Sequence, residues 1–186
     1  MKKVISAIAM MAGLSACNTL TYQLRDYTPP KDGELARLRV LSTGVVRLIP
    51  ESSCINASLG DTGIVANGNM TIFTKAHNGA SLGMPSSTAP KPDVVSAEVY
   101  IRANKPLVLD FADSVGTGFS QTGGLTLAHS LACGTSVTFT PLPGQDYEAY
   151  TAFESLGKSG YCVIVVKNLN NPAESVPTQR IKSCSK

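Results

Sequence analysis

Short runs of β-branched and aromatic residues, separated by clusters of Gly, Pro, Asn and Ser, recur along most of this chain. Runs of this kind are typical of strands. A long helix would show apolar residues at a period of 3.6, and only a short stretch over 125–131 suggests a turn of helix. About eight or nine short strands indicate an antiparallel β-sandwich or a small closed sheet. We expect the sandwich, all-β with little or no helix, with strands at 36–41, 45–49, 70–74, 94–102, 107–111, 136–140, 147–153, 161–167 and 176–181.

The turn that precedes Tyr147 supports this fold. Residues 138–147 comprise the end of a predicted strand, a turn rich in Pro and Gly, and a tyrosine that opens the next strand. The arrangement resembles one found in Ig-like and transthyretin-like sandwiches. The resemblance implies that the Tyr147 ring packs on the core while its hydroxyl bonds nearby backbone.

Three arginines lie on the first two predicted strands. Arg37 and Arg39 are two positions apart and therefore share one face of their strand. The Ser42-Thr43-Gly44 turn predicts a hairpin, which could bring Arg47 to the same side. Three guanidinium groups there could hold a carboxylate or a phosphate of a partner. A solvated sheet face is the alternative interpretation.

Residues 76–93 form a long stretch of small, polar and proline-rich sequence inside the predicted domain. Loops of this length without secondary structure are usually functional or disordered. Leu82 and Met84 lie within it, and together with the three arginines they are the candidate partner-binding residues. A loop that is only mobile and exposed is the alternative.

The first 17 residues have the layout of an export signal. Lys2 and Lys3 precede an apolar run that ends at small residues and Cys17. This run is about half as long as the ~20 residues that a membrane-spanning helix needs. We therefore predict that residues 1–16 are a signal peptide. Their removal takes away the two lysines and lowers the formal charge from +3 to +1, and such a nearly neutral domain is not expected to bind nucleic acid.

The segment Leu14-Ser15-Ala16-Cys17 resembles the lipobox of bacterial lipoproteins. The resemblance implies diacylglycerol on the Cys17 thiol, cleavage before Cys17, and acylation of the new amino group by a fatty acid such as palmitate. An Asp after the lipidated cysteine commonly retains such proteins in the inner membrane. Asn18 therefore favours the periplasmic face of the outer membrane.

The rest of the chain is expected to form one domain on a tether. Residues 17–33 are polar and contain Pro29-Pro30, so they are predicted to connect the lipid to the domain. Residues 34–186 have the length of a single domain.

Four cysteines follow the signal, namely Cys54, Cys133, Cys162 and Cys184. An even number in an exported protein predicts two disulfides, for which three pairings exist. The short separation favours Cys162 with Cys184, which leaves Cys54 with Cys133. The wide spacings and the presence of only two histidines argue against a zinc site.

Sequence signals of catalysis are weak, because no Walker A loop, HExxH pair or CxxC pair is present. We expect neither enzyme activity nor a cofactor. The chain contains no Trp and only 6% aromatic residues, so glycan binding on stacked rings is not expected. We expect a non-catalytic binding or scaffold component of an envelope or secretion assembly, with a periplasmic protein partner. The alternative is an immunity or inhibitor lipoprotein that blocks an incoming hydrolase or toxin.

Overall fold

The computed structural model of the chain describes residues 24–68, 76–89, 94–122, 125–156 and 159–185. Every element in these ranges is a β-strand: β1 (Leu35–Ser42), β2 (Val45–Pro50), β3 (Gly63–Asn67), β4 (Val95–Arg102), β5 (Leu107–Thr122), β6 (Leu125–Phe139), β7 (Asp146–Leu156), β8 (Ser159–Asn168) and β9 (Gln179–Arg180). The predicted all-β fold is confirmed. Within the same ranges, no helix has the length and hydrophobicity that crossing a membrane would require.

The strands form two sheets, in the orders β4-β1-β7-β8 and β3-β2-β5-β6-β9. All neighbours pair antiparallel except β1 and β7, which are parallel. Alternate residues of β1 face a shared core with β2, β5 and β6. Apolar side chains from both sheets fill that core, including Leu38, Val40, Leu48, Leu109, Phe111, Val137 and Ala149. The arrangement is the expected sandwich.

The predicted hairpin of β1 and β2 is wrong. The Thr43-Gly44 turn carries the chain from one sheet to the other, so β1 pairs with β4 and β7 while β2 pairs with β3 and β5. The physical reason is burial, since Val46, Leu48 and Ile49 are all inaccessible to solvent. These side chains are covered because β2 lies inside the second sheet, between β3 and β5.

Two pairs of strands extend beyond the sandwich at the same end. β2 leaves β5 after the pair Val45–Ala112, yet β5 and β6 continue to pair as far as Thr122–Leu125. Similarly, β1 leaves β7 at Tyr150, and β7 continues with β8 alone. Residues 113–122 and 125–132 are called the ribbon below. At about 3.3 Å per residue, the ribbon is roughly 30 Å long.

The packed part of the chain begins before Glu34, the first residue of the predicted domain. The Ile64 N–H donates to Arg25 O (2.8 Å), and the Tyr27 N–H donates to Ile64 O (2.9 Å). The Tyr27 side chain lies in the core and is 2% exposed. Part of the predicted tether is therefore docked on β3, because an aromatic ring within it has an apolar site to fill.

The disulfides differ from the favoured pairing. Cys54 is bonded to Cys184, across 130 residues, and Cys133 is bonded to Cys162. Separation along the chain was the wrong criterion, because the sandwich brings the C-terminal segment back beside the residues after β2. The second disulfide links β6 to β8, and it therefore joins the two sheets where the ribbon begins.

Other local predictions have mixed outcomes. Tyr147 is buried on Phe139, and its hydroxyl accepts a hydrogen bond from the Leu142 N–H (3.0 Å), as expected. β3 was not predicted, and the suggested helical turn over 125–131 belongs to β6. The predicted strand at 70–74 lies outside the described residues.

Candidate functional site

An extended segment crosses the outer face of the β4-β1-β7-β8 sheet. Residues 81–88, called the strap below, belong to the long loop singled out in the sequence. Arg37 Nη1 donates to Leu82 O (2.9 Å), and Arg39 Nη2 donates to Met84 O (3.2 Å). Two of the predicted arginines and both apolar loop residues thus form one cluster.

Buried carboxylates complete this cluster. Arg39 contacts Glu98 on β4 (2.6 Å) and Glu148 on β7 (3.1 Å), while Arg37 forms a bidentate pair with Asp146 (2.6 and 2.7 Å). The Glu148 side chain is fully buried, and that of Glu98 is 7% exposed. The cluster is therefore an ionic network covered by the strap, in which Arg39 is buried while the Arg37 side chain stays 32% exposed at the margin.

The carboxylates also hold the strap through its backbone. Glu98 Oε2 accepts hydrogen bonds from the N–H groups of Leu82 and Met84. Glu148 Oε1 accepts from both the N–H and the hydroxyl of Thr88, each at 3.0 Å. Main-chain donors and acceptors at three strap positions are thus satisfied by charged side chains, which makes the bonds stronger than neutral ones.

This environment lowers the pKa of both glutamates. Burial alone raises the pKa of Glu98, but hydrogen bonds from Leu82, Arg39 and Met84 outweigh it. The pKa of Glu148 is lowered in the same way, with burial opposed by bonds from Ser87, Thr88 and Arg39. Both side chains are therefore ionised and fully engaged at neutral pH, which suits a structural role.

Arg47 lies apart from the other candidate residues. It is on β2 in the second sheet, opposite Asp110 of β5, and is 9% exposed. A three-arginine surface therefore does not form. Met84 is buried at 8% exposure, while the outward positions of the strap, namely Gly83, Pro85, Ser86 and Ser87, are exposed.

The strap begins within a sequence that matches the letters of the G-x-S-x-G motif, Gly79-Ala80-Ser81-Leu82-Gly83. That motif serves catalysis where the serine occupies a sharp strand-to-helix turn beside a base. Here no helix follows within the described part of the strap. The Ser81 hydroxyl donates to Glu98 (3.3 Å), which is already bonded to Arg39, and His77 Nε2 lies against Tyr27 O. The cluster lacks the geometry of a nucleophile and its base.

Local segments cover the sandwich body at the edges of β3 and β4 and contact the edge of β8 at two points. At β4, the Gly79 N–H donates to Ser96 O (2.7 Å) and the Glu98 N–H donates to Ala80 O (2.9 Å). At β3, the docked N-terminal segment lies along the edge of the strand and covers it. At β8, Arg180 donates to Cys162 O (3.0 Å) and Lys167 forms a bridge with Ser175, although no strand in the described ranges pairs with the outer side of β8. The edge strand of the other sheet, β9, has only two residues. Such covering and shortening are the means by which proteins prevent strand addition.

The ribbon differs from these edges. No strand in the described ranges pairs with its outer sides. From Ser114 to Ala132 the sequence contains no Asp, Glu, Lys, Arg or Pro, the residues that usually protect an exposed edge. The neighbouring β7–β8 extension carries such groups, because Tyr161 donates to Glu154 (2.7 Å) and Arg180 lies over the Tyr161 ring. The ribbon is thus an edge of the described structure that has neither a neighbouring strand nor, from Ser114 to Ala132, a charged residue.

Small-molecule sites are poorly supported. A cavity of about 450 Å³ at the other end of the sandwich is lined by Ser53, Pro106, Phe139 and Pro177, among others, with no titratable side chain. The described residues contain no group of three or more His, Cys, Asp or Glu side chains placed to hold a metal. Cys17 lies outside the described residues, so its lipidation stays a prediction.

Compared with protein-family models, curated proteins and solved structures, the chain matches none of them.

Proposed function

We propose that this protein is a lipid-anchored, non-catalytic binding or scaffold component of an envelope or secretion assembly, held on the periplasmic face of the outer membrane. The observation that carries the proposal is the ribbon. In the described residues no strand pairs with its outer sides, and the sequence from Ser114 to Ala132 has no charged residue, whereas local segments cover the edges at β3 and β4. An edge of this kind is suitable for pairing with another chain.

The energetics of a two-stranded ribbon support a binding role. Two strands alone are marginally stable in water, since each lacks a second neighbour. The Cys133–Cys162 disulfide fixes the base of the ribbon to the other sheet. A fixed base reduces the conformational freedom that the ribbon would lose on binding, and this favours affinity.

The lipid anchor rests on the sequence. The lipobox-like segment ending at Cys17 supports lipidation, and the two disulfides fit an oxidising compartment. A single acyl chain gives only marginal membrane binding, so the three chains implied by the resemblance would make attachment lasting.

The direct test is a pull-down from detergent-solubilised envelope, with the lipidated protein as bait and mass spectrometry as readout. We expect the wild type to recover one envelope component in near-stoichiometric amounts, either a different protein or a differently tagged copy of this chain produced in the same cells. Ser120→Lys should abolish the recovery, because a charge is placed in the ribbon, while Ser58→Lys, in an exposed turn of the opposite end, should not. Recovery that is equal for all three baits, or no recovery at all, would contradict the proposal.

The inhibitor alternative is favoured by the strap. Its backbone is held by Arg37, Arg39, Glu98 and Glu148, and it presents small residues outward. A rigid exposed segment can occupy the cleft of a hydrolase at small entropic cost. This reading predicts that purified protein inhibits a cell-wall hydrolase and that Ser86→Arg removes the inhibition. If the Ser86→Arg protein inhibits as well as the wild type, the strap is not the inhibitory segment.

A further inference from the structure

We propose that the partner of the ribbon is a second copy of this chain, with β5 of one copy paired to β6 of the next. The inference rests on the proposed lipid anchor. It assigns the interaction surface, the outer sides of residues 113–122 and 125–132, and the direction in which the copies associate.

The N-terminal segment begins at the end of the sandwich that lies away from the ribbon. Asp26 pairs parallel with Ile64, so the segment runs alongside β3 in the same direction. β3 runs from Gly63, near the end of β2, to Asn67, which lies opposite Val45. Val45 also lies opposite Ala112, where the ribbon leaves the sandwich. The described residues 24–27 therefore run from the end opposite the ribbon towards the ribbon.

Docking also shortens the connection to the membrane. Arg25 is fixed by hydrogen bonds from its guanidinium group to Thr62 O and Leu59 O, each 2.7 Å. Only residues 17–24 then separate the lipid from the docked segment, and they span at most about 29 Å. The end of the sandwich near Thr62 is therefore kept at the membrane, and the ribbon is directed away from it.

Copies in one membrane would consequently hold their ribbons side by side, pointing the same way. In each ribbon, β5 runs outward and β6 returns. When two such ribbons lie side by side with the same orientation, β5 of one is antiparallel to β6 of the next. Antiparallel pairing of β5 with β5 would require one copy to be inverted relative to the membrane, whereas parallel pairing of β5 with β5 would not, and parallel ladders are slightly less stable per residue. The antiparallel contact is therefore heterologous, and it can repeat to form a row or a closed ring.

The composition of the ribbon permits this pairing. Between Ser114 and Ala132 there is no Asp, Glu, Lys or Arg to repel the same segment of another copy. Each added copy would give an edge strand its second neighbour, which a two-stranded ribbon lacks. Anchoring in a common membrane raises the effective concentration of copies for each other.

The test uses two differently tagged populations of the full-length, lipidated protein, produced in the same cells. One carries Ser120→Cys on β5, and the other carries Ala128→Cys on β6. A short bis-maleimide is added to the intact envelope, and products are separated by their tags. We expect a mixed-tag adduct, little adduct between two Ser120→Cys copies, and none between copies carrying Ser58→Cys at the anchored end.

Each other outcome overturns the inference. A dominant Ser120→Cys homodimer would indicate pairing of β5 with β5. Adducts only to a different protein would reject self-pairing while leaving the proposed binding function intact. No adduct from either ribbon position, in variants that retain both native disulfides by mass spectrometry, would reject the ribbon as the self-contact. The pull-down tests the binding function separately, so the two failures can be told apart.

Discussion

Replacement of Arg39 by Ala should release the strap and destabilise the domain. Arg39 is the one cation that contacts both Glu98 and Glu148 in the ionic network described here, and it also bonds Met84 O. Its removal would leave two buried carboxylates without their cation. Removing one partner of a buried ion pair typically costs about 3–5 kcal/mol, because an uncompensated charge remains in a low-dielectric environment.

The size of this effect follows from the burial of the network. In a domain of this length, each kcal/mol shifts the melting temperature by about 2–4 °C, so a decrease of roughly 10 °C is expected. The matched control is Arg102→Ala on β4. Its partners Glu51 and Asp32 are 52% and 89% exposed, and such surface pairs contribute about 0–1 kcal/mol.

Thermal unfolding and amide hydrogen exchange together provide the assay. Arg39→Ala should lower the melting temperature much more than Arg102→Ala does. It should also increase exchange at the amides of Leu82, Met84 and Thr88, which donate to the two glutamates. If both variants melt within about 2 °C of each other, or if strap amides keep their protection, the network does not hold the strap and the reasoning fails.

The same network gives a direction for the pH dependence of stability. The folded-state pKa values of Glu98 and Glu148 lie below that of an unfolded glutamate. Their contribution is therefore fully present above about pH 4.3 and is lost as the pH falls through the lower folded-state values. The wild type should lose stability in that acidic range more steeply than a Glu148→Gln variant. Equal slopes would contradict the assignment.

Three further changes should have measurable effects. Gly63→Ala places a Cβ within 2.2–2.4 Å of the docked N-terminal backbone. We therefore expect about 1–3 kcal/mol of destabilisation and faster proteolysis before Thr28. The control Gly60→Ala, whose added Cβ has no neighbour within 4 Å, should be neutral. Tyr147→Phe leaves a backbone N–H without its acceptor and should cost about 1 kcal/mol in chemical denaturation; no change would mean that water replaces the hydroxyl. Replacing Cys133 and Cys162 by Ala opens a loop whose ends are 29 residues apart and should lower the free energy of unfolding by about 3–4 kcal/mol. Amide hydrogen exchange should rise first in the ribbon. Uniform loss of protection would contradict the local role of this disulfide.

The fold class was predictable because strand patterning is a local property. Alternating runs and turn residues predicted most of the strands, and the Pro/Gly-rich segment before Tyr147 predicted the turn that precedes β7. β3 was missed because Gly63–Asn67 is short and lacks alternation, being buried throughout. The extensions of β5 and β6 were missed because their small, Gly-containing sequences have weak strand character when read alone.

Contacts between side chains on distant strands could not be predicted from the sequence for a different reason. Arg39 and Glu98 are 59 residues apart, and Arg39 and Glu148 are 109 residues apart, so strand register determines the network. One signal was available: a carboxylate at position 148, beside Tyr147 in an apolar strand, requires a buried cation or donor. The sequence could not show that Arg47 lies in a different sheet from Arg37 and Arg39. That outcome depends on whether the Thr43-Gly44 turn closes a hairpin or crosses to the second sheet.

The most direct test of the proposed binding role is photo-crosslinking in living cells. A photoreactive amino acid is placed at Ser120 in the ribbon, at Ser86 in the strap or at Ser58 at the anchored end, in otherwise native, lipidated protein. We expect a discrete adduct from Ser120 and none from Ser86 or Ser58. An adduct only from Ser86, with Ser120 unreactive, would contradict the ribbon as the binding surface and would favour the inhibitor function.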